Sequence, residues 1–194
     1  MKKIILASAS PRRQSLLQQL GVEFTISPAN IKENLSKSIS PEQLVRTIAW
    51  QKARLVLQGL QDGIVIAADT VISWEGRVMG KPLDRDDAFA MLSQLSGHSH
   101  QVLTGVCVAE AGDETPDLAV ESTSVFFRPL TKEDIDNYLS HEEWIDKAGA
   151  YAIQGCGALL VERIEGCFYN VVGLPLNQLN MMLRNKGMDL LGVR

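Results

Sequence analysis

The chain has 194 residues, 45% of them hydrophobic and 22% charged, with a formal net charge of −4. That length supports a core without disulfide or metal staples, as one large domain or two small lobes on a shared sheet, and the composition is that of a globular protein. The acidic balance, with a pI near 5.4, excludes a broad nucleic-acid footprint but leaves room for a small basic pocket around a compact polyanion.

Residues 4–7, Ile4-Ile5-Leu6-Ala7, read as a buried strand. After Lys2-Lys3 they mimic a secretory leader, but the run is short and two arginines follow it. No apolar run approaches the ~20 residues of a membrane span. Ser10 is a good helix N-cap, and Pro11 suits the first helical position. Arg12 and Arg13 then place two cations at the positive end of the helix dipole. Such a start suits a phosphate, and equally a plain capped helix with solvated arginines. The loop alone leaves both readings open.

The first helix is predicted over residues 11–20, with Leu16, Leu17 and Leu20 inward and Gly21 ending it. A short strand over 22–26 and an irregular segment over 27–40, which holds Glu33, follow. Residues 41–57 form a clear helix. At about 100° per residue Leu44, Val45, Ile48, Ala49, Leu55 and Val56 make one stripe. Lys52 falls inside that stripe, either snorkelling to water or pointing into a polar cavity.

Residues 63–73 are an apolar strand interrupted by Asp69-Thr70. A carboxylate there needs a partner, which points to a metal ligand or general base. Glu75-Gly76 marks a hairpin turn whose two-residue form sets Thr70 opposite Lys81, and whose three-residue form sets Asp69 there. Asp84 caps the next helix, which ends at Gly97. His98 and His100 are expected on a surface loop. Strands over 101–109 and 119–127, a capping box at Thr131–Asp134 and a helix to residue 141 come next. Residues 146–157 are rich in small residues that permit close backbone approach. A second hairpin is expected over 157–164 and 167–172, with its turn at Glu165-Gly166, and a last helix after Leu174-Pro175. Cys107, Cys156 and Cys167 lack metal-ligand spacing and read as reduced thiols of a cytoplasmic protein.

Seven motifs carry a resemblance: Ser8-Ala9-Ser10-Pro11-Arg12-Arg13, Ala68-Asp69-Thr70-Val71, Gly80-Lys81-Pro82, Leu95-Ser96-Gly97, Asp146-Lys147-Ala148-Gly149-Ala150-Tyr151, Ile153-Gln154-Gly155 and Val172-Gly173-Leu174-Pro175. In this order they resemble the Maf family of nucleoside triphosphate pyrophosphatases over essentially the whole length. The resemblance implies a single domain over 1–194 with an α/β, inosine-triphosphatase-like fold: an elongated, bent, mixed sheet flanked by helices, in two lobes with a central cleft. It implies hydrolysis of a nucleotide to its monophosphate and pyrophosphate, with a divalent metal cation (Mg²⁺ first, Mn²⁺ or Co²⁺ as alternatives) and a homodimer. Asp69 matches the family's general base, and Ser8, Arg13, Glu33, Lys52 and Lys81 its polar set. Arg12, Thr70 and Gln154 match positions tied to base preference. In the mechanism this implies, Ser8, Arg13, Lys52 and Lys81 hold the phosphates while Glu33 and Asp69 bind the metal. The branch resembled prefers dTTP and UTP; Ala152 departs from it where glycine is usual. A branch acting on 7-methyl-GTP and a non-catalytic, nucleotide-sensing inhibitor of septum formation are the alternatives. Neither nucleic acid nor membrane is expected as a partner.

Overall fold

The structure is a computed structural model that describes residues 2–31, 39–113 and 115–192. Its strands form one mixed seven-stranded sheet flanked by helices, as the resemblance implies. β1 (Ile4–Leu6) pairs in parallel with β2 (Thr25–Ile26) and with β3 (Ile64–Trp74). β5 (Ser99–Glu110), β6 (Asp117–Phe127) and β7 (Val161–Glu165) continue the order from β3, and β4 (Arg77–Met79) pairs antiparallel with β3. The central strands are apolar on both faces, which is what a sheet covered by helices requires. No helix of the described residues is long and apolar enough to cross a membrane.

The chain divides into two compact units. The first holds residues 1–70, 104–121 and 173–194, and the second holds 71–103 and 122–172. In the first, α1 (Pro11–Gln19), α2 (Pro41–Leu57) and α6 (Leu176–Asn185) accompany β1. One buried cluster there joins Ile5 and Ala7 of the β1 region to Ala49 and Ala53 of α2, with Val65, Ala67 and Cys107. In the second, α3 (Arg85–Leu95), α4 (Lys132–Leu139) and α5 (Phe168–Val172) surround a cluster built on Leu92, Leu95, Phe127, Leu139 and Tyr151.

Most element ends are set by local chemistry. Ser40 and Gln43 close a capping box at the start of α2, and Thr131 with Asp134 closes one on α4. The Asp84 carboxylate accepts from the Asp87 N–H at the start of α3. Three expectations are corrected. His100 is not on a surface loop: β5 begins at Ser99, and the imidazole is 2% exposed, its Nε2 sharing a 2.7 Å hydrogen bond with the Tyr151 hydroxyl. Residues 167–172 do not form a strand. Gly166 lies against Thr123, whose hydroxyl takes the Cys167 N–H, and α5 coils so that the Asn170 amide reaches Val102 O and Thr123 Oγ1. Leu55 leaves the α2 stripe and is 45% exposed, while Ala53 is buried and Val56 and Leu57 pack on the cluster, so the buried face of the last turn is centred on the side away from Leu55.

Candidate functional site

The loop after β1 is built around Ser8 and Arg13. The Ala7 N–H donates to Ile66 O (2.8 Å), so pairing with β3 persists one residue beyond β1. The chain then turns, and Ser8 Oγ, almost fully buried, accepts from the Ser10 N–H and from Arg13 Nη1, both at 3.2 Å. Ser10 stands at the N-cap position, but its hydroxyl makes no capping bond. The expected side-chain cap is absent, and the local bond at this turn runs from the Ser10 N–H to Ser8. Arg13 is also buried. Its Nε donates to Gly173 O (2.8 Å) and its Nη2 to Thr70 Oγ1 (3.0 Å). These three contacts fix the orientation of the guanidinium.

The second constellation is a buried ion pair. Lys52 Nζ donates to Asp69 Oδ1 at 2.7 Å, with side chains 13% and 10% exposed. Lys52 therefore turns inward to a buried partner and does not snorkel to water, and Asp69 has the partner its place in an apolar strand demands. α2 reaches this depth because Gly105 on β5 lets it approach: a Cβ there would sit well inside van der Waals contact of the Val45 carbonyl. Lys52 lies two turns along the same face from Val45. Asp69's next neighbour, Thr70, shares a 2.9 Å hydrogen bond with Thr104 Oγ1, so Arg13, Thr70 and Thr104 form one chain of contacts. Sequence reasoning missed Thr104. Its signal is a lone hydroxyl within the otherwise apolar run of residues 102–108.

Lys81 and Gln154 belong to the second unit. The β3–β4 hairpin has the two-residue register, with Trp74 opposite Arg77 and with Glu75 and Gly76 at positive φ. The ladder ends at Ile72–Met79, short of the Thr70–Lys81 pair to which that register extrapolates. Lys81 instead faces Asp146 at 3.7 Å, with side chains 64% and 79% exposed, so water screens the pair. The Gly149 N–H donates to Gly80 O (3.0 Å), which seats the residue before Lys81 on the 146–151 turn. Gln154 is exposed at the N-cap of the short 3-10 helix Gly155–Leu160. Arg12 is half-buried on α1. Glu33 lies outside the described residues.

Among the described residues no group of three or more His, Cys, Asp or Glu side chains is placed to hold a metal ion. A structural zinc site has no fit there. The chemistry of a buried Asp69 carboxylate, next in sequence to the Thr70 that bonds Arg13, fits Mg²⁺, which keeps several waters and takes one or two carboxylates plus substrate phosphates.

The model of the family described as "Maf-like protein" matches residues 3–186. This chain belongs to the Maf family. A Maf relative from Caldicellulosiruptor bescii, named dTTP/UTP pyrophosphatase, is 49% identical over 195 residues, covering 98% of each chain. A relative of the same name from Carboxydothermus hydrogenoformans is 49% identical over 185 residues, 95% of this chain and 99% of its own. Among solved structures, the Staphylococcus aureus Ham1 protein is similar in fold alone, with a TM-score of 0.52 at 13% identity over 95% of this chain and all of the other.

Proposed function

We propose that this Maf chain hydrolyses dTTP and UTP to the monophosphate and pyrophosphate. The buried Lys52–Asp69 pair carries the reading from the structural side. A carboxylate held by a lysine, in the same unit as a loop that aims a buried arginine, is what water attack on a polyphosphate needs. The names of the relatives that match nearly the full chain supply the substrate.

Asp69 acts as general base: it takes a proton from the attacking water as the linkage between the α- and β-phosphates breaks and pyrophosphate departs. Ser8, Arg13, Lys52 and Lys81 hold the phosphates, the three cations offsetting their charge. Arg12, Thr70 and Gln154 govern base choice. Gln154 offers one acceptor and two donors, which suits a uracil or thymine edge. Thr70 acts on base choice by placing Arg13, because its hydroxyl is engaged with Arg13 and Thr104. Asp69 and Glu33 are the residues that would hold Mg²⁺. When bound, the cation offsets charge on the phosphates and favours departure of pyrophosphate. The protein works in the cytoplasm as a homodimer, which light scattering of the purified protein checks.

The test measures pyrophosphate release from dTTP, UTP, CTP, GTP and 7-methyl-GTP, with Mg²⁺ and with a chelator. Fast release from dTTP and UTP that chelation abolishes is expected. A preference for 7-methyl-GTP overturns the substrate, and tight nucleotide binding without turnover overturns the reaction.

A further inference from the structure

We infer that Glu143 is a positioning residue for base choice: its carboxylate holds the backbone of residues 155–157 and so sets where Gln154 presents its amide. The inference rests on Gln154 reading the base, as proposed above. Glu143 lies after α4, in the turn leading to residues 146–151. Its Oε1 accepts from the Cys156 N–H at 3.2 Å and its Oε2 from the Gly157 N–H at 3.3 Å. Both donors belong to the start of the 3-10 helix whose N-cap is Gln154. The N-cap side chain ordinarily accepts such N–H groups. Gln154 does not. Glu143 does that work from a distant stretch of the chain and leaves the exposed Gln154 amide for another purpose.

The fit between the two stretches is tight. Gly155 has φ +68, and a Cβ on it would lie 2.6 Å from Glu143 Oε1. Glycine at that position therefore serves both the left-handed turn and the approach of the carboxylate. The segment that presents Glu143 is itself constrained. Glu142, Asp146 and Ala150 have φ of 58°, 60° and 61°, and they are three of the four non-glycine residues at positive φ among the described residues. Such conformations persist where their surroundings over-determine them. Trp144 helps to do so: its Nε1 donates to Leu139 O (3.0 Å), and its ring packs against the buried cluster of the second unit. The charge of Glu143 is also felt in the loop. The Cys156 thiol is pushed up, first by desolvation and then by the charge of Glu143 and a hydrogen bond to it.

The experiment compares kcat and KM for UTP and CTP in Glu143→Ala, Glu143→Gln, Gln154→Ala and the Glu143→Ala/Gln154→Ala double variant, each checked for a cooperative melt. A glutamine at 143 keeps one acceptor oxygen, so it retains one of the two backbone bonds. Gln154→Ala is expected to cut the preference for UTP over CTP about tenfold. Glu143→Ala is expected to do the same, mainly by raising KM for UTP, with Glu143→Gln intermediate. The double variant should be no less selective than Gln154→Ala, since residues acting through one another are not additive. If Gln154→Ala loses selectivity while folded Glu143→Ala keeps it, the role of Glu143 is overturned and the reading of Gln154 stands. If Gln154→Ala keeps selectivity, the reading of Gln154 fails and the inference fails with it. Should Glu143→Ala not fold, Glu143→Gln decides by the same criterion. Alkylation of Cys156 by iodoacetamide, followed by peptide mass, gives a readout independent of turnover. It should quicken several-fold in Glu143→Gln as the thiolate forms more readily, and an unchanged rate overturns the contact.

Discussion

Asp69 and Lys52 show how a single charge in an apolar element reports its own partner. A lone buried carboxylate is costly, and so is a lone buried ammonium, so each implies the other before either is located. Replacing Asp69 by Asn keeps an acceptor for Lys52 and removes the base. Turnover should fall by about 10²–10⁴ and the melting temperature should also drop, because the buried Lys52 ammonium loses its charged partner; wild-type turnover in a folded sample would exclude Asp69 as the base. Lys52→Met strands the Asp69 charge and should cost about 3 kcal/mol in urea unfolding. Adding Asp69→Asn to Lys52→Met should restore much of that stability, because no unpaired ion then remains. Thr104→Val keeps the shape of the side chain but removes one of the two partners of the Thr70 hydroxyl given by the structure, leaving Arg13. A loss of about 1–2 kcal/mol is expected, along with a higher KM for nucleotide as Arg13 loosens.

At the scale of elements, the position of α2 decides whether Lys52 reaches Asp69, and Gly105 decides the position of α2. A methyl at 105 meets the Val45 backbone, which cannot rotate away as a side chain would. Gly105→Ala should therefore destabilise by about 3 kcal/mol and lower turnover beyond what residual unfolding explains. Circular dichroism on the sample used for kinetics separates the two effects. The inward face of Lys52 was legible from period alone, since 100° per residue is a property of any helix. At the β3–β4 hairpin the place of the turn was legible at Glu75-Gly76, but the two- and three-residue registers stayed open, and the structure takes the two-residue one with both residues at positive φ. The length of the ladder was not legible either. The ladder stops at Met79, and Lys81 goes to Asp146 instead.

Across the whole molecule, His100 couples the second unit's core to pH. Its imidazole packs edge-on to Phe127 and Tyr151, and its Nδ1 has no hydrogen-bond partner among the described residues. Protonation would bury a charge, and desolvation accordingly lowers its pKa from the usual 6.5 to about 4. Between those values the unfolded chain binds the proton and the folded chain does not, so stability rises with pH. The contribution is complete above pH 6.5 and is lost as pH falls toward 4, by about 3 kcal/mol in all. Melting temperatures measured from pH 7 to 4 should fall accordingly, and His100→Phe should flatten that dependence. The sequence by itself determined most of the order of elements, the inward lysine, the carboxylate in the third strand, the capping box at Thr131–Asp134 and the family, because each rests on local periodicity, local hydrogen bonding or a short motif. Only the tertiary structure decided that His100 is buried, that residues 168–172 coil, that Thr104 stands behind Thr70 and that Glu143 holds the loop after Gln154. In those cases the deciding partner is distant in the chain: Tyr151 for His100, Val102 and Thr123 for Asn170, Thr70 for Thr104, and the N–H groups of Cys156 and Gly157 for Glu143. Local propensity carries no record of such partners until the chain has folded.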